Sequence, residues 1–190
     1  MVLFCATDIF LLETMGAIML TKIDLCSMAL LKLGEQPIQS FSDDTATAQL
    51  ARTLFEPISD ALIASHPWRF AIRQLDLVPD AEGDFIIPSN VLRVLKSSGQ
   101  VVGNKIIAPS DKITITACVR VDTDAYPSYF VSLLATKLAM EFCIPLSGDQ
   151  TVFRMLTALY ESELQSAKFI DSTTSPSAQI DKFSLINTRF

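Results

Sequence analysis

The spacing of apolar residues changes rhythm at Pro67 and changes back near Asp122, and this double switch limits what the chain can fold into. Before it, Leu25, Cys26, Ala29, Leu30 and Leu33 recur at intervals of three and four, which predicts a helix over 23–33. Thr21 and Asp24 supply its start, Gly34 a left-handed stop, and Pro37 blocks its resumption. A second stripe of Leu50, Leu54, Ile58, Ala61 and Leu62 predicts a helix opening at Ser42, Asp43 and Asp44 and reaching Ser65. The paired aspartates read as caps rather than as paired acids. Pro57 inside this helix predicts a kink or a split. Pro67 forces His66 out of helical geometry and ends it.

Between Trp68 and Val121 the rhythm is that of strands. "FAIRQLDL", "FIIP" and "VLRVL" are short β-type runs, and "QVVGNKII" reads as a hairpin about Gly103 and Asn104. In "KITITACVRV", Ile113, Ile115, Ala117, Val119 and Val121 face one way and Thr114, Thr116, Cys118 and Arg120 the other. Helical spacing then returns. Asp124 is placed as the cap and Pro127 in the first turn of a third helix with the stripe Phe130, Leu134, Leu138 and Phe142. Pro145 and Gly148 mark a corner, and a fourth helix is predicted over 149–169 with Phe153, Leu156, Tyr160, Leu164 and Ala167 on one face.

These segments predict an α+β, mainly helical fold. Its four-helix core comprises two helices, an inserted antiparallel β region and two more helices, followed by an extended C-terminal tail. The expected division is a helical domain from 19–67 and 122–171, an inserted β subdomain over 68–121, and a docking tail over 172–190. Residues 172–177 have linker composition. Beyond them Ile180, Phe183, Leu185, Ile186 and Phe190 return as spaced apolar anchors, suited to docking on a partner. Residues 1–18 are apolar but are interrupted by Asp8 and Glu13 and lack a leading Lys or Arg. They read as an upstream extension with Met15 and Met19 as alternative starts, or else as an amphipathic arm packed on a neighbouring subunit.

Composition narrows the function. Charged residues make up 19% of the chain, against about 25% in an average soluble domain, and the mean hydropathy is +0.36. Such a chain either meets a membrane or hides apolar area against other copies, and the second reading is preferred. Net charge is −6, and the fifteen basic residues form no run, so there is no footprint for gripping nucleic acid. Cys5, Cys26, Cys118 and Cys143 form no CxxC pair, and His66 stands alone. The cysteines read as reduced and structural, His66 as a helix-end residue, and Trp68 as a core anchor. No catalytic group, metal set or cofactor site is expected. A membrane-associated or secreted protein anchored by its N-terminal segment is the competing reading.

Four blocks in order carry a resemblance: "ALLKLGEQPIQSF" (29–41), "ALIASHPWRFA" (61–71), "IPSNVLRVL" (87–95) and "VRVDTDAYPSYFVSLLATKLAMEFCIPLSGD" (119–149). Within them stand Leu33, Gly34 and Pro37, then Pro67, Trp68 and Phe70, then Tyr126 and Pro127, and last Pro145, Gly148 and Asp149. The set resembles the tail tubular protein A and head-to-tail adaptor proteins of short-tailed bacteriophages. Pro57 departs from the continuous helix this implies, and the segment before Met19 is not explained by it. The resemblance implies a structural virion protein at the head–tail junction, assembled in the host cytoplasm. It would form a ring of twelve copies between portal protein and tail nozzle protein. DNA would pass through without sequence-specific binding, and no membrane would be involved. Another phage tail completion or scaffold component is the alternative within that class.

Overall fold

A computed structural model describes residues 20–173, and the calls on residues 1–18 and on the anchors Ile180, Phe183, Leu185, Ile186 and Phe190 lie outside it. Helix α1, Lys22–Lys32, starts on a reciprocal cap. The Thr21 hydroxyl accepts from the Asp24 amide at 3.2 Å, and the Asp24 carboxylate accepts from the Thr21 amide at 2.9 Å. Gly34, at φ +77°, ends it. The amides of Gly34 and Glu35 donate back to the carbonyls of Leu31 and Leu30, a double closure that requires the left-handed residue.

Helix α2 spans Ala46–Ser65 and begins later than its aspartates suggest. The Asp43 carboxylate turns backwards and accepts from the amides of Gln39 and Ser40, satisfying the turn after Pro37. Capping therefore falls to Thr45, whose hydroxyl accepts from the Ala48 amide at 3.2 Å. Pro57 does not split the helix. It sits on the exposed face, where water can reach the carbonyl it leaves unbonded.

A short 3-10 turn at Arg69–Ala71 leads into β1, Ile72–Leu77. The remaining strands are β2 (Phe85–Ile86), β3 (Val91–Lys96), β4 (Gln100–Val102), β5 (Lys105–Ile107) and β6 (Ile113–Val119). They form two antiparallel three-stranded sheets, ordered β1-β6-β3 and β2-β5-β4. The predicted hairpin is present, with Gly103 at φ +60° in its two-residue turn. Phe85 and Ile106 of the second sheet meet Leu77, Ile87, Ile113, Ile115 and Ala117 in a small core of their own. Alternation along β6 holds at Ile113–Thr114–Ile115 and fails at Cys118, which is buried as well as Ala117 and Val119. Helix α2 covers that end of the strand, so both faces are shielded.

Asp124 does not cap the third helix. It lies in a 3-10 turn, Thr123–Ala125, and α3, Ser128–Leu146, starts directly after Pro127. Pro127 fixes its own φ at −64°, and its carbonyl accepts from the amides of Phe130 and Val131, so nucleation needs no carboxylate. α3 is long and apolar enough to cross a membrane, with a mean hydropathy of 1.4 over its best window. Its burial explains this. Phe130, Leu133, Leu134, Leu138, Ala139, Phe142 and Cys143 are fully enclosed as α3 packs on α1, α2 and α4. Pro145 falls in its last turn, and Gly148, at φ +64°, makes the corner. Asp149 then caps α4, Gln150–Thr173, by accepting from the amides of Thr151 and Val152. Ser172 and Thr173, read from composition as linker, complete this helix with their hydroxyls folded onto the carbonyls of Phe169 and Ile170. The architecture is the mainly helical α+β arrangement expected.

Candidate functional site

The residues around Trp68 bring four parts of the chain together. Pro67 stops α2, and the next residue turns its indole back under the helix it has just left. The indole Nε1–H donates to the Leu62 carbonyl at 2.9 Å, and the side chain is fully buried. Phe130 of α3 meets it edge-on at 5.4 Å, Phe70 meets Phe130 at 4.7 Å, and Tyr126 meets Phe130 at 5.0 Å. Such edge-to-face contacts add to the apolar burial. The Tyr126 hydroxyl shares a 2.8 Å hydrogen bond with Ser59, and burial pushes its pKa up.

Asp171, 3% exposed near the end of α4, completes the group. Its carboxylate accepts from the Tyr129 hydroxyl at 2.7 Å and from the Arg69 amide at 3.2 Å. Burial, then the Asp171 hydrogen bond and charge, raise the Tyr129 pKa, so this phenol stays a donor. The cluster therefore fixes where α4 delivers the chain to residue 174. Pro67, Trp68, Phe70, Tyr126 and Pro127 were legible as motif residues, and the structure gathers them here. Ser59, Tyr129 and Asp171 were missed. The only signal for Asp171 was its place four residues after Ala167, on the inward face of α4. Leu33, Gly34 and Pro37 lie apart, at the exit from α1, and Pro145, Gly148 and Asp149 form the α3–α4 corner.

Nothing here assembles reacting groups. The His66 ring packs edge-on to Trp68 at 4.7 Å, and burial, its largest influence, lowers its pKa. Cys26, Cys118 and Cys143 are buried free thiols, and burial pushes Cys26 up to about 12, far from a reactive thiolate. Among the described residues no three His, Cys, Asp or Glu side chains converge on a possible metal position.

Exposed apolar surface is the more informative feature. Met155 is 69% exposed and Phe169 70%, and Leu159 and Ile170 join them on α4. At about 100° per residue, these four and Ser162 and Ser166 fall within one stripe about 100° wide. Its centre stands about a third of a turn from that of the inward stripe of Leu156, Tyr160, Leu164 and Ala167. The helix thus carries two apolar faces, and the sequence reading found only the inward one. Leu31 and Met28 add exposed area on α1, and Ile86, Val102 and Ile107 do so on the outer face of the second sheet. Lys105, among the latter three, is held by Glu82 and Asp84, which masks its charge.

A family model described as tail tubular protein matches residues 23–158, well over half of the chain. No curated protein matches it. The matched span runs from the first turn of α1 through both sheets and into α4, the whole framework just described except the end of α4. The chain therefore belongs to the tail tubular protein family and is a structural component of a phage tail.

Proposed function

We propose that this protein is a head-to-tail adaptor, forming a ring between the portal and the tail nozzle through which DNA passes. The observation that carries the reading is the outward stripe of α4, with Met155 and Phe169 left bare at either end. A repeated head-to-tail contact that closes on itself buries such a face on every copy. The helices, 19–67 with 122–171, serve as the ring-forming domain. The inserted 68–121 faces a neighbouring layer, and 172–190 reaches the portal through Ile180, Phe183, Leu185, Ile186 and Phe190. Twelve copies match the usual ring of this resemblance. The net charge of −6 suits a lumen that lets DNA slide without sticking.

Removing residues from Ser175 onward tests the docking role. The shortened protein keeps every described element and is expected to fold, yet to be absent from portal-bearing heads. Normal occupancy of the heads by shortened protein would remove the docking role.

A further inference from the structure

Hydrogen bonds across the bundle fix where the outward stripe of α4 lies. α4 runs antiparallel to α3, because the Ser132 hydroxyl donates to Glu163 at 2.9 Å while Tyr129, earlier on α3, donates to Asp171, later on α4. α1 runs parallel to α3. The Thr123 hydroxyl donates to the Leu20 carbonyl ahead of both helices, and Lys32, ending α1, donates to Thr136 at 2.7 Å. The Lys32 ammonium also lies 3.7 Å from the Glu163 carboxylate, so these two residues mark the edges on which α1 and α4 face each other. Met28 stands one turn before Lys32 on that edge of α1, with Leu31 beside it on the outer side. Leu159 and Ser166 flank Glu163 on the matching edge of α4. The exposed side chains of α1 and the outward stripe of α4 therefore belong to one apolar face.

That face complements a second copy of itself. Along α4 the stripe reads nearly the same in both directions from Ser162: Met155 and Phe169 lie seven residues to either side, and Ala158 and Ser166 four. No charged side chain falls within it, and Glu163 at its rim is held by Lys32 and Ser132. Laid antiparallel with Ser162 at the crossing, two such helices bring Met155 of each onto Phe169 of the other. Leu159 of each then sits over Ser162 and Ser166 of the other, large against small. α1 ends beside Glu163 and flanks only the later half of α4, so the earlier half has room for the other copy's α1. There Met28 and Leu31 of each copy come beside Met155 and Leu159 of the other. With Ile170, these side chains offer on the order of 600 Å² per copy, or about 1,200 Å² per pair, the lower end of what a specific interface buries.

We infer that the free subunit pairs with a second copy of this chain, α4 against α4, about a two-fold axis at Ser162. Such a contact joins the same patch on both copies, so it closes with two and cannot extend into a ring. The pair covers the face assigned above to ring closure, and that face is released when a portal recruits the subunit. Only this consequence rests on the ring reading; the pair itself does not.

Sedimentation and crosslinking of the full-length protein without portal test the inference. At micromolar concentration the unaltered protein should sediment at twice 20.9 kDa, and Met155→Glu should return it to 20.9 kDa. On a two-fold axis a residue meets its own counterpart, so Ser162→Cys under mild oxidation should give a covalent pair joined 162 to 162 by peptide mapping. Glu161→Cys, on the charged side of the same helix, stands too far from its counterpart and should give about ten-fold less. An unaltered protein that sediments at 20.9 kDa would overturn the inference, as would equal crosslinking from the two positions. Species of three or more copies would mark a head-to-tail contact and overturn it too. Rings found on portals in any of these cases would leave the ring reading standing.

Discussion

Trp68 is the residue on which most depends. Its ring touches side chains from α3 and the turn before β1, while its N–H closes the last turns of α2. Trp68→Ala removes both packing and hydrogen bond, and should lower stability by about 3–5 kcal/mol in urea titration. Trp68→Phe keeps a six-membered ring and loses the donor and a small part of the packed volume. Ser65 already donates to the same Leu62 carbonyl, so that acceptor keeps a partner and the cost should be nearer 1 kcal/mol. Equal losses in the two variants would mean that the ring contributes little. Much of this site could be read in advance because Pro67, Trp68 and Phe70 are neighbours and their roles follow from local rules. Asp171 could not, since its partner Arg69 lies 102 residues away and no local rule pairs them.

At the scale of elements, four helices and their order followed from apolar spacing, and the strands from alternation and turn residues. Cap positions were less secure. Asp43 could serve either the turn behind it or the helix ahead, and only the fold shows that the turn takes it. Asp124 lost its expected role to a proline that needs no partner, and α4 outran its apparent end because a buried carboxylate holds its last turn. Gly99 gives the sharpest test at this scale. Gly99→Ala forces a methyl against backbone and should destabilise the chain by about 1–3 kcal/mol. Exchange should quicken in the β4–β5 hairpin well before it does in α3. An unaltered hairpin would show that the backbone yields there cheaply and that Gly99 does not set the path of β4.

Among the described residues, two features contribute to the low charge content and high hydropathy of the chain. One is α3, much of whose surface is covered by the other helices, which fits its being long and apolar enough to cross a membrane. The other is surface, and the α4 stripe is its longest part. Sequence showed that surplus apolar residues existed but could not say which stayed outside, because both stripes of α4 have helical spacing and only packing tells them apart. Met155 and Phe169 are the most exposed large apolar members of the outward stripe, so changing them should alter assembly and spare the fold.

The most direct test is the mass of the species formed when the protein meets portal rings, read by native mass spectrometry for the unaltered chain and for Met155→Glu with Leu159→Glu. The unaltered protein should add to each portal as a complete ring of copies. The double variant, melting within about 2 °C of it, should remain a solitary 20.9 kDa subunit. An unaltered protein that stays at 20.9 kDa beside the portal, or a double variant that assembles equally well, would contradict the account.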